Sequence, residues 1–201
     1  MHYLTKLFLD AAALRKGNIR DDYSIHRLVY SLFPLEQERS RFLYADKGSV
    51  RGGRLLLVLS EKEPNVPEYV TSATTIISEN FFCFSDYRFE IDLNPVKKEK
   101  ESGKRRAVTG QLDLLNWFIA HSEKWGFQAD ARSLEVSIKP VRQFSKDGTV
   151  CTFNHAFFRG RLHVTDQEKF RESFFAGLGH GKAFGFGLLQ LRPVSNATII
   201  N

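Results

Sequence analysis

Gly177-Leu178-Gly179-His180-Gly181-Lys182-Ala183-Phe184-Gly185-Phe186-Gly187 carries five of the chain's fourteen glycines, and its flanks decide how the second half of the molecule is read. Upstream, Thr165 and Glu168 stand at capping-box spacing. They open a helix with Phe170 and Phe174 on one face and Gly177 as its stop. Downstream, Phe186 to Leu191 reads as a strand. Glycine permits positive φ and has no Cβ to hold a neighbour away, so something approaches this backbone closely. That neighbour is either the protein itself, in a tight loop packing helix to strand, or a ligand such as a phosphate. The dinucleotide pattern G-x-G-x-x-G fails in every register, because Lys182, Phe184 and Gln190 occupy the third glycine's place. The Walker pattern fails as well, since Ala183 follows Gly181-Lys182 and position 176 is Ala176.

Working outward, strands near Leu134 to Val141 and Val150 to Val164 are joined through Lys146, Asp147 and Gly148, where the Asp-Gly pair signals a hairpin. A helix precedes them from about Thr109 to Trp125, with Leu115, Phe118 and Ile119 at helical spacing and Gly126 ending it. In the first half, Tyr3 to Leu9 reads as a strand. Asp21 or Asp22 then caps a helix reaching about Leu32 and stopped by Pro34. Extended segments follow at Arg41 to Tyr44, Arg54 to Ser60 and Phe81 to Leu93, the last as one bent strand or two short ones. Pro67 to Ile77 stays open: Pro67 suits a helix start, while Val70, Thr71, Thr74, Thr75, Ile76 and Ile77 are β-branched; a short helix is favoured. Each half thus approximates βαββαβ. The expected fold is α+β, two tandem ferredoxin-like (RRM-like) domains with antiparallel sheets. The charge run Lys97, Lys98, Lys100, Lys104, Arg105 and Arg106, interrupted by Glu99 and Glu101, reads as an exposed linker or loop dividing 1–94 from 95–201.

Composition bounds the function. A hydrophobic share of 42% over 201 residues suffices for a packed core, and a net charge of +6 favours a polyanion: RNA, DNA or an acidic membrane. No run of about 18 apolar residues and no signal-like leader is visible, so a cytoplasmic protein without a membrane partner is expected. Cys83 and Cys151, both read as strand residues, form no paired motif, which fits a reducing compartment. His2, His26, His121, His155, His163 and His180 show no H-x-x-x-H spacing, so neither metal nor other cofactor is expected.

The helix from Asp22 has two faces. Ile25, Leu28, Val29 and Leu32 form an apolar stripe, while Tyr23, His26 and Tyr30 cluster away from it. Histidine and tyrosine at i and i+3 lie side by side, either as a second, partly buried aromatic face or as a pair addressing one ligand group.

The segment Gly177 to Pro193, of the form G-x-G-x-G-K-A-x-G-x-G-L-L with a following strand and proline, resembles the signature of the CasE family of CRISPR-associated proteins. His180 departs from it, where proline or a small residue is expected. Tyr3-Leu4-Thr5-Lys6, Tyr23-Ser24-Ile25-His26-Arg27 with Leu32-Phe33-Pro34, and Leu93-Asn94-Pro95-Val96-Lys97 match in the family's order along the chain. The resemblance implies a metal-independent endoribonuclease. Such an enzyme cuts the repeat stem-loop of CRISPR precursor RNA at the base of the hairpin by 2′-hydroxyl attack, and stays bound to the mature crRNA within Cascade, beside its other subunits. It also implies that Tyr23 and His26 are catalytic, with His26 as general acid or base. RNA contacts fall to Lys97, Lys98, Lys104, Arg105 and Arg106, to Arg142 and Lys146 of the hairpin, and to Gly179, Gly181 and Lys182 of the loop, with Lys182 a candidate cation for the transition state. The rival readings are a non-catalytic RNA-binding scaffold of the same fold, which needs neither Tyr23 nor His26, and a small-molecule protein using the glycine loop for a nucleotide.

Overall fold

Alternation of apolar and polar residues builds the first sheet. In the computed structural model, which describes residues 1–33, 41–99, 101–146 and 149–194 without the side chains at 145, 146 and 149, β1 (Tyr3–Asp10) buries Leu7 and Leu9 on one face. β2 (Phe42–Val50) and β3 (Gly53–Ser60) form a hairpin, and β4 (Thr71–Ile76) pairs with the other edge of β1. The order is β2-β3-β1-β4, antiparallel throughout, which is the ferredoxin-like order. Two helices, α1 (Ala11–Lys16) and α2 (Asp22–Ser31), cover one face, with Ile25, Leu28 and Val29 packed among Leu7, Leu9, Leu56 and Val58. Each such buried side chain contributes about 1.5–3 kcal/mol relative to exposure.

The favoured helix at 67–77 is not there. Pro67 starts a turn closed by the Val70 N–H on its carbonyl (2.9 Å), and the β-branched run is strand β4, fully exposed on the sheet edge. Thr74 and Thr5 share a side-chain hydrogen bond of 3.0 Å, so cross-strand pairing overrides the proline signal. The second helix of the ferredoxin-like pattern is therefore replaced in this half by an irregular crossing.

The second sheet completes the pattern. β5 (Asp86–Leu93) is flanked by β11 (Gln190–Pro193) and β10 (Thr149–Val164); β8 (Phe127–Ala129) and β9 (Glu135–Lys146) succeed one another along the far edge of β10. Helices α3 (Gln111–Ser122) and α4 (Gln167–Ala176) cover one face, burying Leu114, Trp117, Phe118, Phe170 and Phe174 against Tyr87, Phe89, Ile91 and Phe158. Leu43, Ala45 and Leu59 of the first sheet join that same cluster, so the two halves share a core. Since β5 pairs inside the second sheet, sheet membership changes between Ile76 and Asp86, ahead of the division expected at 94/95.

Details differ from expectation for local reasons. The cap of α4 is Asp166, whose carboxylate accepts from the Lys169 N–H at 3.0 Å, not Thr165; a carboxylate is the stronger competitor for the helix N-terminal donors. The last strand begins at Gln190 because Gly185 and Gly187 hold positive φ (81° and 86°). Cys83 follows a 3₁₀ turn (Glu79–Phe82) rather than lying in a strand, and both cysteines are exposed. The basic run is not an open loop: β6 (Val96–Lys98) and β7 (Arg105–Ala107) pair as a short ribbon. Pro34, Lys100, Asp147, Gly148 and the Lys146 side chain lie outside the described residues.

Candidate active site

Asp21 ends its strand-like approach by capping α2. Its carboxylate accepts from the Ser24 N–H at 2.8 Å, and the Ser24 hydroxyl accepts in return from the Asp21 N–H at 3.0 Å. These hydrogen bonds hold the Asp21 carboxyl below the usual carboxylate range. The cap fixes the helix phase, turning Ile25, Leu28 and Val29 into the core while Tyr23 and His26 stay half-buried on the other side and Tyr30 is exposed.

His26 lies where α2 meets the glycine-rich segment. Its Nδ1 is 2.8 Å from the Ala183 carbonyl. A carbonyl only accepts, so Nδ1 carries the proton, and in the neutral ring Nε2 is the nitrogen that changes protonation. The ring stacks with Phe184 (centroids 5.3 Å apart, 19°) and with Tyr23 (5.9 Å, 16°), and meets Tyr30 at 4.2 Å. Burial pushes the Tyr30 hydroxyl up. A groove beside this cluster is lined by Tyr23, Ser24, His26, Arg27, Tyr30 and Tyr69. Tyr23 and His26 thus share one face and one groove, as the i, i+3 spacing predicts. The parts sequence reasoning missed are the Ala183 carbonyl and the Phe184 ring. Their signal is weak: a lone alanine and phenylalanine inside a glycine run.

The glycines answer the question left open about what approaches them. A Cβ on Gly187 would lie 2.4 Å from the Leu178 carbonyl, and one on Gly185 would lie 2.7 Å from the Tyr44 ring. The Leu178 N–H donates to the Gly187 carbonyl at 2.9 Å, so the segment folds on itself. At Gly181 the neighbours are Phe186 and Phe153, and at Gly179 it is Leu93. The close neighbour at each of these glycines is the protein's own chain, and the folded loop presents Ala183 and Phe184 to α2.

The remaining candidates divide into three groups. Lys182 donates from Nζ to the Ala176 carbonyl at 2.7 Å, capping the C-terminus of α4, and burial lowers its pKa. Arg142 sits with its side chain 11% exposed, inside the junction rather than on an open hairpin face. Its Nε is 3.8 Å from Asp22, its Nη1 donates to the Phe184 carbonyl at 3.4 Å, and its guanidinium lies over the Phe186 ring. Lys97, Lys98, Lys104, Arg105 and Arg106 are all exposed on the β6–β7 ribbon or its turn, with Lys97 opposite Arg106 and Lys98 opposite Arg105; Arg106 also pairs with Glu99. An isolated bridge between Asn94 and His180 joins the base of that ribbon to the glycine-rich segment. Burial lowers the His180 pKa first, and positive charge on Arg105, Lys182 and His121 lowers it further. Among the described residues no three His, Cys, Asp or Glu side chains cluster as metal ligands, and no helix is long and apolar enough to cross a membrane.

Residues 2–193 match the model of a family described as CRISPR associated protein. The CRISPR-associated endoribonuclease Cse3 of Thermus thermophilus is 27% identical over 95% of this chain and 100% of its own. The CRISPR system Cascade subunit CasE of Escherichia coli K12 is 23% identical over 94% of this chain and 100% of its own. Thermus thermophilus Cse3, solved bound to an RNA representing a pre-cleavage complex, superposes with a TM-score of 0.79 at 27% identity, covering 96% of this chain and 99% of that one. A family model that spans nearly the whole chain, and relatives that align with it along nearly their full length, show that the chain belongs to the CRISPR associated protein family, with the CasE proteins.

Proposed function

We propose that this protein is the endoribonuclease that binds the repeat stem-loop of CRISPR precursor RNA, cuts it at the base of the hairpin, and keeps the mature crRNA as a Cascade subunit in the cytoplasm. The observation that carries the proposal is the Tyr23–His26 pair in its groove, with the His26 tautomer fixed by a main-chain carbonyl. A scaffold that only held RNA would need neither Tyr23 nor His26 for chemistry.

The chemistry follows from the substrate. A ribose 2′-hydroxyl beside the scissile phosphate attacks phosphorus as its proton leaves, and the 5′-oxygen of the next nucleotide departs with a proton. The products carry a 2′,3′-cyclic phosphate and a 5′-hydroxyl. His26 Nε2 takes or gives one of those protons, a contribution on the order of a hundred- to ten-thousandfold. Tyr23, stacked beside it, orients the phosphate or shares the transfer. Arg142 is better suited than Lys182 to support the site, because it braces both Asp22 and the Phe184 carbonyl whereas the Lys182 ammonium is engaged by α4. The paired basic ribbon grips phosphates along the stem. The attacking oxygen is part of the substrate, so no metal-bound water is needed in this scheme.

Purified protein incubated with a stem-loop RNA in excess EDTA tests it. Cleavage should proceed, and a 2′-deoxy sugar at the nucleotide upstream of the cut should abolish it with little change in binding. Activity lost in EDTA and restored by magnesium or manganese would sink the mechanism.

A further inference from the structure

The open face of the second sheet, away from α3 and α4, carries a charge arrangement that the cleavage site does not use. Strand pairing sets Arg192 opposite Arg88, and Arg88 opposite Arg161, so three arginines stand in one row across β11, β5 and β10. Neighbouring strands are about 4.8 Å apart, which places three like charges within about 10 Å of one another. Directly opposed like charges weaken a sheet. All three are exposed, and among the described residues none of them has a carboxylate within ion-pair distance. The acidic groups nearby are engaged elsewhere: Glu90 with Lys47 at 2.7 Å, Glu135 with Arg159 at 2.6 Å and Asp86 with His163 at 3.0 Å. Asp130 acts on Arg161 only at longer range. The row lines an open groove with Glu90, Arg159 and Gln190, and among the described residues the Gln190 amide Nε2 in it meets no acceptor. On the same face of β10, two and four residues before Arg159 and Arg161, lies the half-buried ring of Phe157, with Lys47 and Lys139 each 5.8 Å from its centroid.

We infer that this face binds a single-stranded stretch of RNA flanking the hairpin, with Arg88, Arg161 and Arg192 on its phosphates. The inference rests on the endoribonuclease reading and extends it to a second surface. Guanidinium groups match phosphate in bidentate geometry, which explains a row that costs the sheet stability. Unpaired bases, unlike a duplex, can reach an aromatic ring on a sheet face. Arg161 lies eight residues along β10 from Phe153, whose ring packs on Phe184; at about 3.3 Å per residue the row is roughly 25 Å from the scissile site, within reach of several nucleotides.

The test compares the wild type with the Arg88→Gln/Arg161→Gln/Arg192→Gln variant on two RNAs: the bare hairpin, and the hairpin extended upstream or downstream by about ten unpaired nucleotides, a typical single-strand site size. The wild type should bind one extended RNA about three- to tenfold more tightly than the bare hairpin, as expected for three exposed charge contacts. The variant should bind both alike, with the salt slope on the extended RNA reduced by about three. Its Tm should be unchanged or raised, since the substitutions relieve repulsion, and its cleavage of the bare hairpin should be unchanged. A flank that adds nothing to wild-type binding, or a gain that survives in the variant, overturns the inference while normal hairpin cleavage leaves the enzyme reading intact. Loss of co-purification with the other Cascade subunits, with the flank gain kept, also overturns it and assigns the face to an acidic protein. Wild-type protein that binds neither RNA overturns both readings.

Discussion

Replacing His26 with alanine separates chemistry from architecture, and the structure sets the size of both effects. The substitution removes the hydrogen bond to the Ala183 carbonyl, about 1 kcal/mol net, and ring contacts with Phe184 and Tyr30 worth about 0.5–1.5 kcal/mol each when fully developed. The site is half open, so the stability loss should total about 1–3 kcal/mol. For a chain of this size that is a fall in Tm of about 2–12 °C, and the loss is well short of the 5–15 kcal/mol that typically holds a domain folded. Losing the proton-transfer group should slow single-turnover cleavage at least about a hundredfold, equivalent to about 2.7 kcal/mol of transition-state stabilisation. Affinity for the hairpin should change by less than about threefold, because binding is dominated by phosphate contacts. The assay is single-turnover cleavage in EDTA at saturating protein, alongside a filter-binding isotherm and a thermal melt. A folded His26→Ala protein that binds and cleaves normally refutes the assignment, and His180 becomes the histidine to test.

Other perturbations probe the supports of that site. Gly187→Ala should destabilise by about 2–4 kcal/mol, since its Cβ would meet the Leu178 carbonyl at 2.4 Å and φ is positive; Gly48→Ala, with nothing within 4 Å, should cost about 1–2 kcal/mol, from backbone conformation alone, so equal melts would undo the packing argument. Arg105→Ala with Arg106→Ala should weaken hairpin binding and lower its salt slope by about one per lost phosphate contact; a wild-type slope removes the ribbon from the interface. Asp21→Ala should cost about 1 kcal/mol through loss of the α2 cap. The folded-state carboxyl lies below its ordinary value near 4, so its contribution is present above pH 4 and fades as pH falls through the lowered value; a wild-type minus Asp21→Ala stability difference that grows on acidification would contradict it.

What could be read from the sequence was local. The Ile25-Leu28-Val29 stripe and the Tyr23-His26 face follow from helix periodicity, a capping aspartate at 21 or 22 follows from residue type, and most of the second βαββαβ unit follows from Phe170, Phe174 and the long β9–β10 strands. What resisted reading depended on distant partners. The Thr71–Ile76 segment becomes a strand only because β1 offers it an edge, and the basic run becomes a ribbon only because Lys97 and Lys98 pair with Arg106 and Arg105. Helix α1 follows an Asp10 cap that the sequence reading passed over. The carbonyl that meets His26 Nδ1 is 157 residues away, and no spacing rule spans that distance. Arg142 reads in the sequence as a hairpin cation for RNA phosphates, yet its guanidinium is drawn inward by Asp22, the Phe184 carbonyl and the Phe186 ring.

Because the group that meets His26 Nδ1 is a peptide carbonyl, no missense change at position 183 can delete that atom itself. Ala183 is therefore open to drift toward other small residues at little expense to the reaction. Genetic fragility moves instead to Gly185 and Gly187, which touch no reacting atom but let the main chain deliver that oxygen. A random mutagenesis screen for lost RNA processing should thus find its silent positions next to the histidine's partner, and its lethal ones at these two glycines, whose conformation the active site borrows.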